Sequence, residues 1–435
     1  MLQDILMLSA FFILRIVLPL VLVVGIGYSV LQKWYGVKLD FSPKFVLGVG
    51  GVMCLWALAA ITLILRFATG LGSVTNLNDQ FPLGFWIGFD VMAGAMLGGG
   101  AFVLAGLVYV LNVERYRPIL RSTILTAFLG YSLLIVALLI DVGRPQNILL
   151  MRPVYFPNIH SVLWEVAMCV MFYTVVLALE FLPALFERLR WRRPWIIAHK
   201  ITLPLVIVGI LLSTMHQSSL GSLWLTTPGK LNDLWFTPLL PVFFWISAIA
   251  VGLGMVVVES NLSSRGFKRG LEQDLLARLS KGTAFVLLFY VAFRFADIAV
   301  RGKLGLAFQP TLQATLFWIE IGLCALLPAI LMVNPKFRTN KNALLAAGGV
   351  VVAGGILNRL NVSIFGHWSF YGPIYFPSWM EIVLSLALVS FGVVVFIAAV
   401  KYLPVFPREA GEQGSGGAEE RRGGGADLLP ETVRV

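Results

Sequence analysis

The sequence predicts an all-α membrane protein, a polytopic bundle of about 10 or 11 transmembrane helices. The first observation is the composition, since 58% of the 435 residues are hydrophobic and 13% are charged. Soluble domains are about half apolar and about a quarter charged, so a soluble fold could not bury this much apolar surface. Recurring apolar stretches and loops of alternating charge are the second and third observations.

The apolar stretches are long enough to cross a bilayer. A hydrocarbon core about 30 Å thick needs roughly 20 apolar residues per helix, and a spanning segment must be helical because lipid cannot pair with its backbone. The stretches lie near residues 6–31, 45–67, 85–111, 121–140, 161–182, 200–215, 237–258, 280–300, 311–333, 343–358 and 380–402. The sixth and tenth stretches look short and could extend at either end.

The loops fall into two sets by charge. The basic set lies near residues 33–44, 115–121, 188–200, 265–281 and 336–341. The other set holds few cations, among them Arg66, Arg144 and Arg359. Because basic loops stay in the cytoplasm, an odd number of spans predicts an external N-terminus and an internal C-terminus in a bacterial cytoplasmic membrane. The net charge of +11 therefore reflects topology and does not indicate nucleic-acid binding.

Three regions follow from this pattern. We expect residues 1–44 to form an extra N-terminal helix with a linker and residues 45–407 to form the helical bundle. Residues 408–435 are rich in glycine and charge and nearly free of aromatic residues. Such a segment cannot bury enough surface to fold, so we expect it to be a disordered cytoplasmic tail.

The cysteines and histidines limit the cofactors that the chain could hold. The cysteines stand singly in apolar stretches, at Cys54, Cys169 and Cys324, so no iron–sulfur cluster is expected. The histidines are His160, His199, His216 and His367. A two-haem cytochrome b would need ligand pairs at both membrane faces, although one haem between His160 and His216 is an alternative. No metal-site motif is present.

Polar residues reach one level of the membrane, near its outer surface, from several spans. They are Trp86 and Asp90 on the third span, Asp141 and Arg144 at the end of the fourth, Glu165 on the fifth and His216 at the end of the sixth. A charged group at this depth is costly and usually functional. A quinone head needs hydrogen-bond donors for its carbonyl oxygens, an aromatic cover and a carboxylate that moves protons. The pattern therefore predicts a site of quinone binding and protonation.

Each of these residues also has a structural interpretation. Glu165 could favour a helix dipole, and Asp141 and Arg144 could form a local ion pair. His216 could satisfy the loop backbone, and Trp86 could belong to the interfacial aromatic belt. These alternatives stay open from the residues alone.

A second set of ionisable residues lies further along the chain, in the eighth and ninth spans. Arg294 and Asp297 share a face of the eighth span, which favours a structural ion pair between them. Glu320 lies near the middle of the ninth span. The alternative is a proton relay formed by all three residues.

Several runs of the chain resemble the polysulfide reductase/NrfD-type membrane subunits, and most closely those of quinone-reducing nickel–iron hydrogenases. The runs include GLGSVTNLNDQFPLGFWIGFDV, HSVLWEVAMC, TMHQSSLGSLW, FWIEIGL and YFPSWMEI, in order between about Arg66 and Pro407. The chain departs from this pattern in residues 1–44, where an additional helix is expected. That difference concerns the identity of the complex and not the family.

The resemblance implies a subunit that binds menaquinone or ubiquinone near the periplasmic face and holds no haem or iron–sulfur cluster. It implies an extracytoplasmic iron–sulfur partner that docks there and exchanges electrons with a catalytic subunit, here a nickel–iron hydrogenase. Asp90, Glu165 and His216 would be the quinone residues. The alternatives are a sulfur- or sulfite-linked complex, a haem-bearing cytochrome b anchor and a secondary transporter.

Overall fold

A computed structural model describes residues 43–81, 83–151 and 158–406. Within these ranges, 10 helices are long and apolar enough to cross a membrane. They are α1 (Pro43–Thr69), α2 (Trp86–Val110), α3 (Arg117–Asp141), α4 (Val162–Leu189), α5 (Arg192–Leu223), α6 (Leu240–Gly266), α7 (Gln273–Val300), α8 (Leu312–Val333), α9 (Lys341–Ser363) and α10 (Trp379–Tyr402). The predicted helical membrane bundle is confirmed. The expected span 6–31 and the tail 408–435 lie outside the described residues.

The helices form two four-helix bundles with a flanking pair. Helices α2 to α5 pack on one another, and so do α6 to α9, while α1 packs against α10. The most apolar segments of α2 and α6 are 72% and 67% buried, compared with 11% for α1 and 17% for α10. Helices α2 and α6 are therefore the centre of the molecule, and the flanking pair is its most exposed part.

Glycines bring α2 and α6 into backbone contact. A Cβ atom at Gly100 would lie 2.6 Å from the carbonyl oxygen of Gly252. A Cβ atom at Gly99 would lie 2.7 Å from the carbonyl oxygen of Ala248. Helices in lipid associate through such small residues because close backbone approach maximises van der Waals contact. These glycines therefore fix the junction between the two bundles.

The two helices that look short in the sequence extend further than the predicted spans. Helix α5 continues to Leu223, so His216 lies inside the helix and does not end it. Helix α9 continues to Ser363, so Arg359 is a buried helical residue and its assignment to a loop was wrong. Their polar side chains lower the local hydropathy, but they face other helices and not lipid.

The connecting segments define two ends of the molecule. The basic end comprises residues 111–116, 190–191, 267–272 and 334–340. The opposite end, called the long-loop end, comprises residues 70–81, 83–85, 142–151, 158–161, 224–239, 301–311 and 364–378. The candidate residues Trp86, Asp90, Asp141 and Glu165 all lie in the helical turns nearest the long-loop end.

Candidate functional site

An apolar cleft opens between α2, α3, α6 and α10. Its volume is about 460 Å³, and its walls are almost entirely aliphatic and aromatic side chains and glycines. Asp90 lies on the wall towards the long-loop end, and Glu259 lies on the wall towards the basic end. Small-ligand sites usually measure roughly 300–1,000 Å³ and combine apolar walls with a few polar groups. The cleft therefore has the size and polarity of a site for a largely apolar molecule.

Two glycines facing each other keep part of the cleft open. A Cβ atom at Gly94 would meet no atom within 4 Å. A Cβ atom at Gly130 would meet only the carbonyl oxygen of Gly94, at 4.0 Å. Unlike the glycines between α2 and α6, these two are not required for helix packing. Their effect is to leave space in the cleft.

Asp90 lies in a π-helical segment, Trp86–Ala93, at the start of α2. Such turns insert an extra residue into a helix and are frequent at functional sites. The Ser385 hydroxyl on α10 donates a hydrogen bond to the Asp90 carboxylate over 2.5 Å. The side chain therefore joins α2 to α10 at the edge of the cleft.

Helix α10 contributes a second carboxylate, Glu381, one turn before Ser385. Glu381 is 1% exposed, and the Tyr375 hydroxyl donates to it over 3.1 Å. The indole Nε1 of Trp86 donates to the backbone carbonyl of Glu381 over 3.1 Å. Trp86 is therefore a buried contact between α2 and α10 and not a residue of the interfacial belt.

Asp141 completes this group from the end of α3. It lies close enough to Asp90 and Glu381 for an electrostatic interaction with each. The cation beside Asp141 is Arg66 of α1, which donates to the carbonyl oxygens of residues 140 and 142 over 2.8 Å. Arg144 is exposed, and the described residues show no ion pair between it and Asp141. The local ion pair, which was the structural alternative for these two residues, does not form in the described part of the chain, and Arg66 of α1 is the cation beside Asp141 instead. Asp90, Asp141 and Glu381 are called the carboxylate cluster below.

A second polar group lies between α3, α4 and α5. The Tyr131 hydroxyl lies 3.0 Å from His216 Nδ1, and the Ser219 hydroxyl donates to Glu165 over 2.6 Å. Tyr131, His216, Tyr173, Ser213 and Gln217 are each 0–1% exposed. Together with Glu165 and Ser219 they are called the hydroxyl–imidazole cluster.

Several atoms of the hydroxyl–imidazole cluster have no hydrogen-bond partner among the described residues. They are the Tyr173 and Ser213 hydroxyls, His216 Nε2 and both amide atoms of Gln217. Leaving a buried polar group unpaired costs about 1–3 kcal/mol. The cluster is therefore a place where bound water or another polar molecule would be stabilised.

Helix α3 separates the two clusters. Gly130 lines the cleft, whereas its neighbour Tyr131 points to the hydroxyl–imidazole cluster. The contacts of the described residues therefore place Trp86, Asp90 and Asp141 in one group and Glu165 and His216 in another, whereas one site was predicted. Neighbouring residues on a helix point in different directions. The position of a residue along its helix, which is what the sequence predicts, does not reveal which neighbouring helix its side chain contacts.

The α6–α9 bundle contains a buried network around Glu320. Its carboxylate accepts hydrogen bonds from Trp235 over 2.9 Å and from Asn358 and Asn361 over 2.7 Å each. The Asn358 amide oxygen in turn accepts from Arg359 over 2.6 Å. Asn358 thus connects a buried carboxylate to a buried guanidinium.

The expected ion pair between Arg294 and Asp297 does not form. Asp297 pairs with Arg301 over 2.8 Å and accepts from Thr237 over 2.8 Å. Arg294 instead donates to the carbonyl oxygen of Leu234 over 2.5 Å. Spacings of three and four residues both place side chains on one helix face, and here the spacing of four forms the pair.

Sequence reasoning missed Tyr131, Tyr375 and Glu381. Glu381 and Tyr375 belong to the run YFPSWMEI, which carried part of the family resemblance but received no role. Tyr131 stands in an apolar stretch, where a tyrosine gives no signal of its own. Within the described residues, no group of three or more His, Cys, Asp and Glu residues could hold a metal ion.

Comparison with known proteins gives the family of the chain. Residues 73–370 match the family model described as polysulphide reductase, NrfD. The chain is 34% identical over 376 residues to the "Probable Ni/Fe-hydrogenase 2 b-type cytochrome subunit" of Escherichia coli, covering 86% of this chain and 94% of the relative. It is 29% identical to the "Menaquinone reductase, integral membrane subunit" of Nitratidesulfovibrio vulgaris, covering 82% and 90%.

A more distant relative extends the comparison to an archaeon. The chain is 23% identical to the "Hdr-like menaquinol oxidoreductase integral membrane subunit" of Archaeoglobus fulgidus, covering 81% of this chain and 95% of the relative. The family match covers well over half of the chain and most of its membrane helices. The chain is therefore an integral, multi-pass membrane protein of the polysulphide reductase NrfD family.

Proposed function

We propose that the chain is the quinone-binding membrane subunit of a respiratory oxidoreductase complex. The observation that carries this proposal is the cleft of about 460 Å³ with Asp90 on its wall. A respiratory quinone has an apolar tail and a head with two carbonyl oxygens. The aliphatic walls suit the tail, and the carboxylate cluster lies where the head would need polar partners.

The residues of the carboxylate cluster have the chemistry that this role requires. Bound quinone would supply the redox chemistry, with two electrons and two protons per turnover. Asp90 would hold and move a proton at its carboxyl oxygen, and Ser385 would orient that group through its hydrogen bond. Trp86 would fix α2 against α10. Arg66 would limit the repulsion between Asp141 and its acidic neighbours.

Glu165 and His216 are assigned to proton handling beside the cleft. Their cluster contains the unpartnered atoms of Tyr173, Ser213 and Gln217, which favour ordered water. Water and hydroxyl groups in series can pass protons across the bundle. Arg144 is exposed, and its proposed place is at the periphery of the quinone site.

The partner and the orientation are part of the proposal. The names of two relatives mention hydrogenase and menaquinone reductase, and the basic loops favour a cytoplasmic basic end. The long-loop end would then face the periplasm and dock an iron–sulfur protein of a nickel–iron hydrogenase. Recovery of a sulfur- or sulfite-converting enzyme with the tagged chain, and no hydrogenase, would instead establish the alternative complex.

Proton translocation through the second bundle is also proposed. Glu320, Arg294 and Asp297 are the candidate relay residues of α7 and α8. A cavity of about 30 Å³ borders Glu320 and Asn358, and a water molecule needs roughly 10–15 Å³ of such space. A buried carboxylate beside room for water is suited to exchanging protons.

Filling the cleft tests whether quinone binds there. Gly94→Leu would place a side chain in the open space facing Gly130, so we expect the Kd of a soluble naphthoquinone to rise at least about tenfold, or 1.4 kcal/mol. The helix itself should tolerate leucine, which has a higher helix propensity than glycine. The measurement is naphthoquinone binding to the purified complex.

Gly349→Leu is the matched control for this change. Gly349 also has no atom within 4 Å of its Cβ position, but it lies on α9, away from the residues that line the cleft. The complex with Gly349→Leu should bind the naphthoquinone with the Kd of the wild-type complex. Equal binding by the Gly94→Leu complex would show that the cleft is not the quinone site.

We also expect the purified chain to carry no haem, although one relative is named a b-type cytochrome subunit. Haem of this kind is held by histidine. His160 and His199 are exposed near opposite ends of the bundle, and His216 Nδ1 faces the Tyr131 hydroxyl. The absorption spectrum of the reduced chain is the measurement. A Soret band equivalent to one haem per chain would contradict the prediction and support a cytochrome b anchor.

A further inference from the structure

Glu381 occupies a buried position between the cleft and the surface of the long-loop end. On the cleft side, Ser385 lies one helical turn away on the same face of α10 and donates to Asp90. On the surface side, the carboxylate accepts from the backbone N–H of Ser378 over 2.8 Å. The backbone of the exposed residue Asn76 also interacts with the Glu381 carboxylate. One layer of backbone therefore separates this buried acid from the outside.

Tyr375 holds the carboxylate in this position. Its ring stacks on Phe81 with centroids 4.9 Å apart and planes 8° apart. Its hydroxyl donates to Glu381 and accepts from the backbone N–H of Phe85 over 2.7 Å. Burial, together with the neighbouring Glu381, raises the pKa of Tyr375, so the phenol stays protonated and remains a donor. The segments before α2 and before α10 are thereby tied to one acid.

The charges around Glu381 favour a shared proton. Asp90 faces the cluster from α2 and Asp141 from α3, while Arg66 of α1 is the cation beside Asp141. Tyr375 is the neutral titratable group from the loop before α10. Close carboxylates in a low-dielectric site cannot all be ionised without strong repulsion. Such a group titrates as a unit, and a proton bound to one carboxylate favours ionisation of its neighbours because it removes the repulsion between them.

We propose that Glu381 is the residue through which the Asp90 site exchanges protons with the long-loop end. This inference rests on the proposed quinone function and adds a route to it. A proton released at Asp90 would reach Glu381 by way of Asp141, which interacts electrostatically with both carboxylates, and each carboxyl group releases one proton for each proton that it receives. No net bond is made or lost, and one proton moves between the cleft and the surface. Because Glu381 acts through Asp141 and Asp90, it is a positioning and proton-exchange residue.

The test uses the whole complex purified from membranes with Glu381→Gln. Glutamine keeps an oxygen that can accept from Ser378, as in the N-terminal capping arrangement of α10, but it cannot exchange a proton. We expect kcat for naphthoquinone reduction to fall about tenfold or more, with an unchanged KM and an altered pH profile. Glu381→Asp should restore most of the rate and the wild-type pH profile.

The outcomes separate this inference from the proposed function. Failure of the wild-type complex to bind the naphthoquinone would refute the quinone function itself. If the complex binds the naphthoquinone and the Glu381→Gln variant keeps the wild-type rate and pH profile, only the role of Glu381 is refuted. A rate loss that Glu381→Asp does not restore, with an unchanged pH profile, would assign Glu381 to structure alone.

A second variant covers the case in which Glu381→Gln does not assemble. Tyr375→Phe keeps the ring that stacks on Phe81 and removes only the hydroxyl that contacts Glu381. We expect it to assemble and to alter the pH profile of kcat. An unchanged profile in that variant would overturn the inference.

Discussion

Asp90→Asn is expected to lower kcat for quinone reduction about 100-fold, the usual scale of a lost general acid or base. Asparagine has nearly the same shape and can still accept from Ser385, but it cannot hold and release a proton. The KM for the quinone should change little, because the apolar walls of the cleft provide most of the contact. Steady-state kinetics of the purified complex with a soluble naphthoquinone is the measurement.

Three control variants show which cluster contains the reacting site. Ser385→Ala removes the hydrogen bond to Asp90 but keeps the carboxylate, so it should lower kcat much less. Glu165→Gln and His216→Ala should slow proton delivery in the hydroxyl–imidazole cluster and leave binding intact. A wild-type rate in Asp90→Asn, combined with lost binding in the other two variants, would place the quinone head between α3, α4 and α5.

Arg359→Met is expected to destabilise the α6–α9 bundle by about 3–5 kcal/mol, the usual cost of removing one partner of a buried charge pair. Arg359 is 0% exposed, and its guanidinium lies 3.7 Å from the centroid of the Phe244 ring. It is connected through Asn358 to Glu320. Methionine would fill similar space but leave the Glu320 charge without compensation. Thermal unfolding of the purified complex is the measurement.

Comparison with an exposed arginine and with a double variant makes this test specific. Arg188 is exposed and donates to the carbonyl oxygen of Tyr402, so Arg188→Met should change stability by no more than about 0.5 kcal/mol. Adding Glu320→Gln to Arg359→Met removes both charges and should recover part of the loss. Purely additive effects would show that the two residues are not coupled. If Glu320 relays protons, Glu320→Gln alone should also lose proton translocation in vesicles while it still reduces quinone.

Much of the fold could be predicted because lipid imposes simple rules on a sequence. Apolar length sets the spans, so the helices from α1 to α10 match the predicted stretches. The boundaries failed at His216 and Arg359. There, polar side chains lie within helices whose neighbours replace water as hydrogen-bond partners, and hydropathy alone cannot distinguish that from a loop.

The end of the molecule at which each candidate residue lies was also predictable, since it depends only on the position of the residue along its helix. Trp86, Asp90, Asp141 and Glu165 do lie in turns near the long-loop end. Their grouping was not predictable, because it depends on the rotation of each helix and on its neighbours. Arg66, and not Arg144, is the cation near Asp141 because α1 and α3 end side by side.

The sequence by itself therefore determined that this chain spans the membrane with many helices, which end carries the basic loops and which family it belongs to. Tertiary structure alone decided that Glu381 of α10 joins Asp90 of α2 and Asp141 of α3. It also decided that a cleft opens beside them and that Glu320 is connected to Arg359. The physical reason is that hydropathy and charge act along the chain, whereas pairing between helices depends on side-chain direction and packing.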